Sequence, residues 1–390
     1  MRAINLIIAA IIILCSGPRI AGAQTDSFTK NFKYYKDVAT NIDVFASGSA
    51  GLEIFDKPVK EARQRLASFL GPGLAKGALI VCSTLEQKDS VNEVRMLKQG
   101  FQWILTVMTP EATSQQIIAQ MKAQTGSQIP PGMLERIQNR PPEMKAAAEA
   151  RLISSTLLRM GYAVISTTLA PEKQYRSSRL EDMGRSPLAD WLDVGLASYA
   201  AGDAALNLRF LQEHLEEGFP LDDLLSMSRP FVAPTEGNSG GTGGGTFIIR
   251  IGSDGGMGGG DSRGSEPPAG AGSSAPGGVR FDGPAMPGMR GGGSNMPKDV
   301  QDRMIFDCQA AAFFKYAVER LGIEKTREAI QWNREGKLTR DALFRREYMG
   351  TDLDQVEKDW LEWVKNLKAE GPGGIRPKPG GTQKPAAPAP

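Results

Sequence analysis

A stretch rich in glycine, proline and serine, residues 236–297, divides this chain and limits what it can fold into. It contains GGTGGG and GGMGGG. Glycine at this density loses much backbone entropy on ordering and supplies no side chain to bury. A core must therefore be assembled from the residues on either side. The stretch reads as a low-complexity insertion. Within it, Thr246 to Ile251 (TFIIRI) has the pattern of a strand, one that docks on a sheet edge or folds back as half of a hairpin. A phosphate-cradling glycine loop is the sharper alternative. It is disfavoured because no Gly-Lys-Ser/Thr ending follows and no helix begins where the glycines stop.

Composition marks off the other parts. Residues 1–23 have the form of a secretory signal. Arg2 provides a positive start, Leu6 to Cys15 is an apolar run, and Ala21-Gly22-Ala23 is a small-x-small site before Gln24. The run is too short to cross a bilayer, so no membrane span is expected once it is removed. A bulky Leu14 argues against a lipid-modified Cys15. Residues 24–135 are mixed α/β, 136–231 are helical, 298–369 are helical again, and 370–390 form a Pro/Gly-rich tail. The chain carries 46 Lys and Arg against 44 Asp and Glu. Removing Arg2 and Arg19 with the signal leaves the two signs equal. That balance gives no basic surface for nucleic acid. The remaining cysteines, Cys82 and Cys308, read as buried thiols or as one disulfide of an exported protein.

Local patterns predict the elements. Asn41 to Ala46 alternates like a strand, and Ala78 to Ser83 and Phe101 to Met108 are apolar runs suited to buried strands. Pro58 to Leu70 is an amphipathic helix with Pro58 in its first turn and Gly71-Pro72-Gly73 as its stop. Further helices are expected over Glu111–Ala123, Glu143–Ile165, Ser186–Ala200, Ala204–Glu217 and Leu221–Met227. Ser186 would cap the third of these, with Pro187 in its first turn. After the glycine-rich stretch, helices are expected over Asp299–Arg320, Lys325–Asn333, Thr339–Tyr348 and Leu353–Leu367. Gly322, Gly336 and Gly350 stand between them in the manner of C-caps. The fold class is α+β: a small sheet with helices in the N-terminal part, followed by a mostly helical part.

The chain has 1 histidine, His214. That count matters because two stretches resemble the peptidase MA-like gluzincins, zinc metallopeptidases with a thermolysin-type core. One is Trp191-Leu192-Asp193-Val194-Gly195-Leu196-Ala197-Ser198-Tyr199, similar to W-L-x-E-G-L-A-x-Y, whose Glu is the third zinc ligand in that family. The other is Ile305 to Lys365, similar to the family's terminal helices. The resemblance covers most of residues 28–231 and 298–368. It implies a catalytic helix upstream of Trp191 carrying H-E-x-x-H, with two His on one face for zinc and a Glu as general base.

That motif is absent. The best register places Ser155 and Thr156 on the first His and the Glu, Arg159 on the second His, and Val194 on the downstream Glu. Hydroxyls are poor zinc ligands, Arg does not deprotonate, and Val has no donor atom. No metal or cofactor is expected, and no catalytic residue is assigned. Arg159 is expected to pair with Asp190 or Asp193, or to reach water through a residual cleft, because an unpaired buried guanidinium is costly. Asp190, Trp191, Asp193 and Tyr199 are the candidate cleft residues. His214 and Glu217 stand at i, i+3, a spacing of di-metal bundles that need two such pairs. His214 instead reads as a surface histidine on a charged helix face. The resulting expectation is an exported, gluzincin-like pseudopeptidase binding a peptide or protein of the cell envelope. Two alternatives stay open: a hydrolase using carboxylates near Asp190 and Asp193, and a structural or interaction protein of the envelope.

Overall fold

The computed structural model describes residues 31–125, 141–176, 186–202, 205–230, 297–336 and 352–367. The expected signal, the Thr246–Ile251 strand, the Thr339–Tyr348 helix, Gly350 and the tail lie outside the described residues.

A 5-stranded sheet forms the N-terminal layer, in the order β1 (Tyr34–Ala39), β2 (Ile42–Ala46), β3 (Gly77–Cys82), β4 (Trp103–Met108) and β5 (Tyr175–Arg176). β1 pairs antiparallel with β2 through a tight turn, and Asn41 within that turn has φ 75°. Asn tolerates this left-handed conformation better than most residues. β2 to β5 run parallel to one another. Strands in a parallel array are covered on both faces, so β3 is buried at every position. Leu79 and Val81 face the larger core, while Ala78, Ile80 and Cys82 face a smaller one with Phe32, Met96, Leu97 and Phe101.

Helices supply the rest: α1 (Ser49–Leu70), α2 (Leu85–Asp89), α3 (Glu93–Lys98), α4 (Pro110–Thr125), α5 (Pro142–Leu169), α6 (Asp190–Ala201), α7 (Leu208–Glu213), α8 (Leu221–Ser226), α9 (Lys298–Arg334) and α10 (Leu353–Asn366). α+β is thus the observed class. α1 begins well before Pro58, which lies inside it rather than in its first turn. Its buried stripe (Gly51, Phe55, Val59, Ala62, Leu66 and Phe69) shows why. Helical spacing of core contacts runs straight through the proline, and tertiary burial outweighs its local cost.

α6 is the central helix of the larger core. Leu192, Val194, Leu196, Ala197 and Ala200 are all within 1 % of complete burial. It starts at Asp190, with Ala189 at the cap, rather than at Ser186. The Ser186 hydroxyl instead accepts from the Leu188 amide at 3.1 Å. Two glycines set how closely its neighbours approach. A Cβ on Gly161 of α5 would lie 2.9 Å from the Ala197 Cα, and one on Gly195 would lie 2.4 Å from the Phe314 Cβ of α9. α6 is therefore pressed between α5 and α9.

The break expected at Gly322 is present: its φ of 81° is not helical, so α9 is two helices that meet at a kink there. Trp360 of α10 is completely buried, edge-on to Phe313. Cys82 and Cys308 are both free thiols, and burial pushes each up to about 12.

Candidate functional site: a buried polar cluster between three helices

α5, α6 and α9 meet at a group of polar side chains in otherwise apolar packing. Asp193 lies in the first turn of α6 and is 1 % exposed. Its Oδ2 accepts from the Ser186 amide at 3.4 Å, while its Oδ1 is buried without a hydrogen-bond partner. A helix N-terminus ordinarily favours a carboxylate. Burial opposes it more strongly here, and pushes the Asp193 carboxyl up to about 7. The Ser186 bond and the Arg229 charge pull the other way without overcoming burial.

Arg229 is the cation of the cluster. Its backbone amide donates to Asp190 Oδ2 at 2.7 Å. Its guanidinium donates to both oxygens of Asp307 on α9, from Nε at 2.6 Å and from Nη2 at 2.5 Å. The guanidinium carbon stands 5.4 Å from the centre of the Tyr162 ring on α5. Such a planar fork over an aromatic face is a favoured setting for Arg. Arg229 Nη1, like Asp193 Oδ1, is buried without a hydrogen-bond partner. Burial disfavours the charge of Arg229. Tyr162, Asp307 and Asp193 outweigh that effect, so its proton is held more tightly than usual. Burial raises the Tyr162 phenol above its ordinary range. Arg303, one turn before Asp307, stands 3.5 Å from it and donates to the Pro230 carbonyl at 2.8 Å. Burial and the Arg229 charge lower Arg303.

The residues singled out by the motif register are spread differently. Ser155 is half-buried, and its hydroxyl donates to Leu152 O of its own helix at 3.1 Å. Thr156 and Val194 are each 1 % exposed, Val194 within the apolar core. Arg159 is half-buried on α5. Arg229, from a segment to which the sequence assigned no role, reaches Asp190 through its backbone amide and acts on Asp193 through its charge. Trp191 packs edge-on to Phe313 at 5.6 Å and is 4 % exposed, so neither it nor Asp193 walls an open cleft. Tyr199 lies at the other end of α6, against Phe69 and Phe314. It lines a depression of about 330 Å³ with Arg65, Gly202 and Lys315.

His214 is not on a charged helix face. It follows the last residue of α7, stacks on the Phe210 ring at 4.2 Å and bonds the Phe210 carbonyl through Nδ1 at 2.9 Å. Glu217 turns instead to Gln301.

These donors do not suit the zinc site that the resemblance implies. Between α5 and α6 the polar groups are hydroxyls, one carboxyl with a raised pKa and a guanidinium, none of them an imidazole or a thiolate. Among the described residues, no 3 side chains of His, Cys, Asp or Glu gather as a metal-holding group. No described helix is long and apolar enough to cross a membrane. Tyr162, Arg229, Asp307 and Arg303 were not found from the sequence. Arg229 and Asp307 stand far apart in the chain, on opposite sides of the glycine-rich stretch, and no local pattern joins them. No family model matches the chain, nor does any curated protein or solved structure.

Proposed function

We propose that this chain is an exported gluzincin-like protein without a hydrolytic zinc centre, which binds a peptide or protein partner of the cell envelope rather than cutting it. The observation that carries this reading is the placement of Arg229. The resemblance assigns metal ligands to the helices that correspond to α5 and α6. Here a guanidinium enters beside those helices, over Tyr162 and next to Asp193, with its charge answered by Asp307. A cation supplied by the chain itself disfavours a metal dication in the same place. Export rests on the signal-like residues 1–23.

Binding is assigned to the surface rather than to the buried cluster, because Trp191 and Asp193 are closed off. A depression beside Tyr199 offers Arg65 beside an aromatic ring. Capture of peptides from a random library by the purified chain, reduced by Tyr199→Ala, tests this reading. Failure of the chain to retain any peptide or envelope protein would remove it.

One observation favours a second reading, a carboxylate hydrolase. Asp193 is pushed up to about 7, whereas Asp190, three residues before it, accepts a hydrogen bond from the Arg229 amide. A carboxyl raised towards neutrality is a common acid–base group. Hydrolytic activity lost in both Asp190→Asn and Asp193→Asn would establish it.

A further inference from the structure

The Arg229 cluster has a second property, independent of any ligand. It joins the last described residues before position 231 to the first ones after position 296. Arg229 holds Asp307 through two hydrogen bonds, and Arg303 Nη1 holds the Pro230 carbonyl at 2.8 Å. Two more ties lie beside these. Gln309, 1 % exposed, accepts from the Phe219 amide at 2.9 Å and donates to the Phe219 carbonyl at 3.0 Å. Gln301 donates to Glu217. Residues 217–230 are thus cross-tied to four positions on the first turns of α9. α9 in turn packs its Phe313 and Phe314 against Trp191 and Phe69.

We infer that these ties join the parts of the fold on either side of residues 231–296, so that the chain can be cut within that stretch and its two pieces remain one folded complex, with Arg229 and Asp307 as the principal polar fastening at the edge of the packed helices. Continuity of the chain then contributes mainly effective concentration. What holds the halves together is the buried packing of α6 on α9 and the polar ties at its edge.

The test uses the full chain with a specific protease recognition sequence inserted after Gly258. After complete cutting, the two pieces are expected to elute together and to unfold in one transition. Arg229→Gln should leave the uncut chain with an unchanged circular dichroism spectrum. Once cut, its pieces should part on dilution at concentrations about 100-fold higher than the unsubstituted pieces, the scale expected for opening a buried charge pair. Should Arg229→Gln fail to fold, Asp307→Asn keeps shape and an acceptor and should weaken the cut complex in the same direction. The inference is overturned if the unsubstituted pieces separate on cutting. It is equally overturned if the inserted site resists cutting in the native protein, or if neither substitution weakens the cut complex.

Discussion

Arg229 and Asp307 meet through two parallel hydrogen bonds of 2.6 and 2.5 Å, joining the segment after α8 to the third turn of α9. The arginine side chain is 12 % exposed and the aspartate 32 %. A charge pair this enclosed costs more to break than it returns by forming, because removing one partner strands the other. Arg229→Ala should therefore lower stability by about 2–4 kcal/mol, at the low side of the buried range because Asp307 still meets water. Arg229→Lys should restore only part of the loss, since a lysine lacks the fork that engages both oxygens. Urea unfolding of the three proteins checks this. A lysine variant as stable as the original would show that charge alone matters.

Asp193 makes stability depend on pH with an unusual sign. Its carboxyl ionises near its ordinary value in the unfolded chain, but only near about 7 in the fold. Between those values the native state keeps a proton that the unfolded state has released. Stability is then greatest below the unfolded value, falls as pH rises towards 7, and levels off above it. The span is on the order of 4 kcal/mol. Asp193→Asn should flatten this trend and melt at a higher temperature than the original at pH 8. Melting curves of both proteins from pH 4 to 8 decide the matter. Parallel curves would show that Asp193 titrates normally.

The glycines of the helix crossings should be intolerant of a methyl group. Gly195→Ala would bring its Cβ within 2.4 Å of the Phe314 Cβ, and Gly161→Ala within 2.9 Å of the Ala197 Cα. Alanine raises helix propensity, so an exposed site would gain about 1 kcal/mol. Overpacking should reverse that sign and cost about 1–3 kcal/mol, more for Gly195 than for Gly161. Thermal denaturation of the two variants measures the order. Stabilisation by Gly195→Ala would mean that α6 and α9 are not pressed together.

β2, β3 and β4 were legible because their signals are local, whereas β1 was not expected. Ala78 to Ser83 and Phe101 to Met108 read as buried runs, and they became β3 and β4 with shifts of one or two residues. β5 was invisible, since a two-residue strand, Tyr175–Arg176, leaves no periodicity. Proline misled at α1, where Pro58 imitates a helix start although Gly51 and Phe55 already continue the buried stripe. Ser186 misled at α6 for a related reason, because its hydroxyl closes a local turn instead of capping the helix. At the candidate site, the sequence drew attention to Asp190 and Asp193 but not to Arg229, whose charge acts on Asp193. Arg229 and Asp307 depend on how the chain returns after the glycine-rich stretch, which no spacing within one segment encodes.

The metal content of the purified chain tests the central claim most directly. A fold whose α5 and α6 present Ser155, Thr156, Asp193 and a neighbouring Arg229 should carry far less than one zinc per chain. It should gain none after equilibration with zinc and dialysis, and should leave peptide substrates uncut. Stoichiometric zinc retained through dialysis, together with peptide cleavage lost on chelation, would contradict it.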